Sequence, residues 1–142
     1  MPRSIMPALA AVFLFLAAAA ASAQGWYEPA RGTPERRALM DAIRPQAESE
    51  FGAPVEFVVR QLRVSGNLAY AYVDAQRPGG ARINLEPTPK GNYLDNNGVG
   101  ALYRRQGGRW VVAHYAIGAT DTWWQPACQE FRPVLAEFCP PR

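Results

Sequence analysis

Two glycine-containing pairs, Gly66-Asn67 and Gly107-Gly108, each separate two apolar runs, and they constrain this chain more than any other feature. A two-residue loop that reverses a strand needs positive φ at its centre, which glycine and asparagine tolerate best. The first pair therefore joins the two halves of VEFVVRQLRVSGNLAYAYVDA, and the second joins VGALYRRQ to RWVVAHYAIG. With Ser65 opposite Leu68, one face of the first hairpin collects Val58, Leu62, Val64, Ala69, Ala71 and Val73. The other collects Gln61, Arg63, Tyr70 and Tyr72. The first is a core face; the second, polar and aromatic, is expected to look toward solvent or a ligand. In the second hairpin, Trp110 is expected opposite Arg105, Val112 opposite Tyr103 and His114 opposite Ala101. Both of its faces are apolar, so periodicity does not choose the one that meets a helix.

One helix precedes the hairpins. Thr33 is suited to the N-cap, Pro34 to the first helical position and Glu35 to the positive end of the helix dipole. Leu39, Met40, Ile43, Ala47 and Phe51 then recur at helical spacing until Gly52-Ala53-Pro54 ends the run. Pro45 lies inside the pattern and is expected to bend the helix or split it. The connection from Gln76 to Gly98 is rich in proline, glycine and asparagine, with a short strand expected at Ala81 to Leu85. Asp95-Asn96-Asn97-Gly98 has part of a calcium-loop pattern, but Tyr93 stands at the first ligand position and no glutamate closes the loop. Turn chemistry accounts for it. The resulting order is α-β-β-β-β, an α+β fold with one N-terminal helix on a curved four-stranded antiparallel sheet. The C-terminal piece reads as irregular structure with short helical turns, stopped by Pro140-Pro141.

The N-terminal sequence bears on compartment. Arg3, an apolar run from Ala8 to Ala21 and the Ala21-Ser22-Ala23 site form the pattern of a secretory signal peptide over residues 1–23. Residues 24–142 are then a single domain, expected in the periplasm or secreted, with no stable membrane anchor after cleavage. Export permits a disulfide between Cys128 and Cys139, the two cysteines of the chain, which would pin the C-terminal tail. Their spacing suits neither a redox pair nor a zinc site, and no metal or cofactor is expected. The 15 basic and 12 acidic residues are interspersed, without the clustered basic footprint that nucleic acid requires.

The segment RQGGRWVVAHY, residues 105 to 115, resembles the final-strand signature of SnoaL-like domains: a glycine, a tryptophan, alternating apolar residues and a histidine. With the helix-on-curved-sheet pattern, it implies the cystatin-like and SnoaL-like group of α+β folds. The order LMDAIRP, VEFVVRQLRVSG, AYAYV, RPGG, GGRW and AIGATD also resembles secreted bacterial proteins that carry no assigned activity.

Chemistry-bearing residues are few. His114 is the lone histidine, and no nucleophile elbow, zinc spacing, paired carboxylates or phosphate loop accompanies it. A SnoaL-like acid/base reaction would pair His114 with Asp121 in an enclosed pocket, although Asp121 also suits a cap on a short helical turn. No residue is assigned a catalytic role. Trp123 and Trp124 are adjacent, so one is expected to pack under the tail and the other to be partly exposed. Together with Tyr70, Tyr72 and Arg63 they are the candidate binding residues, for a protein partner or a small ligand. The expectation is an exported binding domain, an inhibitor or an envelope protein, with a SnoaL-like small-molecule-binding domain or acid/base enzyme using His114 as the alternative.

Overall fold

The computed structural model describes residues 25–142. The expected signal peptide at 1–23 lies outside the described residues. Helix α1 (Pro34–Phe51) begins where the sequence indicates, with the Thr33 hydroxyl accepting from the Arg36 amide at 3.3 Å. All five residues of the apolar stripe are buried. Pro45 does not split the helix. It lies on the exposed face, where water can satisfy the carbonyl whose backbone donor it removes.

Strands β1 (Glu56–Ser65), β2 (Leu68–Gln76), β3 (Gly98–Gln106) and β4 (Arg109–Ile117) form an antiparallel meander in chain order. The first hairpin keeps the expected register from Ser65↔Leu68 to Gln61↔Tyr72, and then shifts by one residue. Val59 therefore faces Val73, so Val59 and Phe57 pack on the core in place of Val58. The second hairpin also shifts, beyond Tyr103↔Val112. His114 stands opposite Leu102 rather than Ala101. Both irregularities lie on edge strands, where an extra residue bends the strand and increases its twist. Periodicity reads each run as regular and misses them.

The α1 face of the sheet carries Leu62, Val64, Ala71, Val73, Val99, Ala101 and Tyr103, with Trp110 and Val112 joining from β4. No strand forms at 81–85. The long connection is held by backbone turns, with Leu94 donating to the Leu85 carbonyl at 3.0 Å, and by side chains: Thr88 donates to the buried Glu50 carboxylate at 2.8 Å, and Asn92 donates to both its oxygens at 2.8 and 3.0 Å. Ile83 supplies a buried apolar anchor.

The second face of the sheet is covered as well. Helix α2 (Cys128–Leu135), flanked by 3-10 turns at Gln125–Ala127 and Ala136–Phe138, packs Phe131, Val134 and Leu135 against Tyr70 and Leu102. The Cys128–Cys139 disulfide closes this segment. The fold is thus a sheet between two helices, and the tail is a second layer of core rather than an irregular extension. Among the described residues, no helix is long and apolar enough to cross a membrane.

Tyr103 is fully buried in the α1 layer, and its hydroxyl has no hydrogen-bond partner among the described residues. Burial pushes its pKa upward, so the group stays protonated. An unpaired buried hydroxyl costs about 1–3 kcal/mol. Tyr103→Phe is therefore expected to raise stability by roughly 0.5–1 kcal/mol in urea unfolding. A loss of stability would mean that the hydroxyl has a partner.

Candidate functional site

Between the sheet and the tail, the α2 layer leaves a cleft of about 330 Å³. Its floor is β3, where Gly98 and Gly100 alternate onto the same face as Leu102. Missing side chains in a strand interior mark a close approach by another group. Here those groups belong to the protein. A methyl group at Gly100 would stand 2.4 Å from Cζ2 of Trp123, and one at Gly98 would stand 2.5 Å from the Tyr72 hydroxyl. Gly100→Ala is therefore expected to lift Trp123 from the sheet, costing about 1–3 kcal/mol and changing tryptophan emission and near-ultraviolet dichroism. An unchanged spectrum and midpoint would show that Trp123 does not rest there.

Tyr70 and Tyr72 reach the cleft from β2, and Gln61 reaches it from β1 opposite Tyr72. Trp123 and Trp124 come from the turn after β4, whose start is fixed by Gly118 donating to the Gly98 carbonyl at 2.8 Å. The two indoles are perpendicular, with centroids 6.1 Å apart. Trp124 is further held by its Nε1 donating to the Phe138 carbonyl at 3.1 Å. Adjacent tryptophans thus form a corner, and both remain partly exposed. Tyr70 is buried, and desolvation is the main reason its hydroxyl pKa is pushed up to about 12.

Arg63 has a different surrounding from the one expected. Its guanidinium lies between the rings of Trp26 at 4.5 Å and Phe138 at 4.8 Å. It also donates to Glu137 at 2.6 Å and to the Val134 carbonyl at 3.3 Å. Neither Arg63 nor Tyr70 looks out to solvent, because α2 and the turn after it cover them. The Phe131, Val134, Leu135 spacing carries the signal for that cover, as does Glu137 in the tail, but Pro133 inside the segment obscures it.

His114 and Asp121 are not brought into one cavity. Asp121 lines the cleft, whereas His114 is exposed beyond it, edge-on to Phe131 with ring centroids 5.9 Å apart. Asp121 does not cap the turn that follows; Gln125 donates to the Thr122 carbonyl at 2.9 Å, and the 3-10 turn has no side-chain cap. Gln61 also lines the cleft, on the polar and aromatic strand face where alternation places it. Its Oε1 is buried and has no donor among the described residues. Among those residues, no group of three or more His, Cys, Asp or Glu side chains is placed to hold a metal.

Other hollows of comparable volume lie along α1 and the outer side of β4. They open between polar helix residues and the strand, with Trp110 or Tyr115 as the aromatic contribution, and no cluster of rings converges there. The α2-side cleft is distinguished by its lining chemistry rather than by its size. Comparison with protein-family models, curated proteins and solved structures gives no significant match.

Proposed function

We propose that this protein is an exported binding domain that holds a small ligand in the cleft between β2, β3 and the Trp123-Trp124 corner. The observation that carries this reading is convergence. Tyr72 from β2 and the Asp121, Trp123 and Trp124 segment after β4 meet over a glycine floor, with Gln61 joining from β1. Ligand sites characteristically combine an apolar, aromatic lining with a few placed polar groups, and about 300 Å³ is the lower end of their usual volume. A recessed cleft of this size favours a small molecule over a protein partner, which would engage a broader surface.

Export is supported by the signal-peptide pattern of residues 1–23 and is compatible with the Cys128–Cys139 disulfide. A SnoaL-like small-molecule domain is the family reading nearest to this one. An acid/base enzyme of that type is less well supported, because His114 stands outside the cleft that contains Asp121.

The test is a panel of neutral aromatic, amine and carboxylate compounds, followed by tryptophan fluorescence. At least one class is expected to give a saturable change, and Tyr72→Ala is expected to weaken that binding roughly tenfold while leaving the far-ultraviolet spectrum intact. If no class saturates, the cleft is not a ligand site.

A further inference from the structure

We propose that the ligand of the cleft is a compact organic cation, a protonated amine or quaternary ammonium group. This rests on the reading of the cleft as a small-ligand site. The chain carries more basic than acidic residues, yet no arginine or lysine lines the cleft. The ionisable side chain there is Asp121, apart from the two tyrosines, and it has no ion pair among the described residues. The buried cation on this side of the sheet, Arg63, is already committed to Glu137 and to the rings of Trp26 and Phe138.

The remaining walls suit positive charge. Aromatic faces carry negative potential, and tryptophan is the strongest of them for a cation within about 6 Å of the ring centroid. Two perpendicular indoles and Tyr72 line the cleft and supply rings of this kind. The exposed Asp121 carboxylate accepts hydrogen bonds and carries negative charge, so it complements a donor or a positive charge. An anion would meet Asp121 with no counter-charge. A neutral apolar ligand would use the rings but gain nothing from the Asp121 charge.

The experiment titrates the full chain with choline, with its neutral isostere 3,3-dimethyl-1-butanol and with acetate, each followed by tryptophan fluorescence and by NMR. Choline is expected to bind roughly tenfold or more tightly than the alcohol, and acetate not at all. Asp121→Asn is expected to weaken choline about three- to tenfold and leave the alcohol unchanged. Trp124→Phe, which keeps a ring, is expected to retain part of the affinity that Trp124→Ala loses, separating a cation–ring contact from simple unfolding. Equal binding of alcohol and choline would overturn the cationic preference while leaving a small-ligand cleft in place. Stronger binding of acetate would do the same. If choline fails while a compound of another class saturates the cleft, the cation inference falls alone. If no compound of any class binds, both readings fall.

Discussion

Arg63→Ala is expected to destabilise the protein by about 3 kcal/mol, with the loss centred on the attachment of the C-terminal segment. The side chain leaves β1 on the α2 face and threads between Trp26 and Phe138, so one guanidinium joins the sheet to residues at both ends of the described chain. Each stacked ring contributes about 0.5–2 kcal/mol when the cation is desolvated, and a charge-assisted bond contributes about 1.5–3. The contributions overlap, so their sum is an upper bound rather than the expectation. Truncation also opens space under α2 and removes the donor to the Val134 carbonyl. Arg63→Lys is expected to recover less than half, because ammonium cannot stack flat or donate through a planar fork. Urea unfolding of the three proteins measures this directly.

The same pair gives a pH dependence of known sign. The Glu137 carboxyl is held below its ordinary 4.5, first by the hydrogen bond from Arg63. A depressed carboxylate pKa stabilises the fold above the unfolded value, and that contribution is lost as pH falls through the folded value. The tail is therefore expected to loosen below about pH 4.5 in wild type. Glu137→Gln removes this part of the acid response. An acid profile identical in the two proteins would show that the pair does not hold the tail.

The second large effect concerns the disulfide. Replacing Cys128 and Cys139 together with serine is expected to cost about 3 kcal/mol, the chain-entropy value for a loop of sequence separation 11. An eight-residue helix has little stability by itself in water and depends on its packing. Without the covalent closure, Phe131, Val134 and Leu135 still favour the sheet, so the expected change is frequent local opening rather than global collapse. Hydrogen exchange of the tail amides is expected to rise more than that of the paired β2 and β3 amides. A uniform increase across both would show that the tail and the sheet open as one unit.

Which parts of this arrangement were readable in the sequence follows from the range of the forces involved. Thr33, Pro34 and the Leu39, Met40, Ile43, Ala47, Phe51 stripe act within a few residues, and the helix lies where they place it. Gly66-Asn67 and Gly107-Gly108 likewise set the registers next to their turns. Further along, the shifts at Val59/Gln61 and Leu102/Tyr103 change which side chains face the core, and alternation alone contains no sign of them. That is why Val58 and His114 occupy positions different from those the simple registers imply.

The cleft was legible in its parts. Tyr70, Tyr72, Trp123, Trp124 and Asp121 were each distinguishable as residues with more than one possible role, and all five line it. Their assembly depends on α2 folding back over β2, a contact between segments distant in sequence. Arg63 shows the cost of lacking that information: an arginine on an aromatic strand face reads as a binding residue, but the tail turns it into a clamp. Alternation places Gln61 on this face, but the unpartnered state of its amide oxygen depends on what surrounds it and has no local sign. The absence of a side chain at Gly98 and Gly100 is similar, because its meaning comes from Tyr72 and Trp123 lying against the strand.

The most direct test of the aromatic cleft as the binding site is a two-dimensional NMR titration that follows the four indole N–H signals with the tightest compound from the ligand panel. Trp123 and Trp124 are expected to shift and saturate together, while Trp110, on the α1 face of the sheet, stays in place. Saturable shifts confined to Trp110, or binding that moves no indole at all, would contradict the assignment of the cleft.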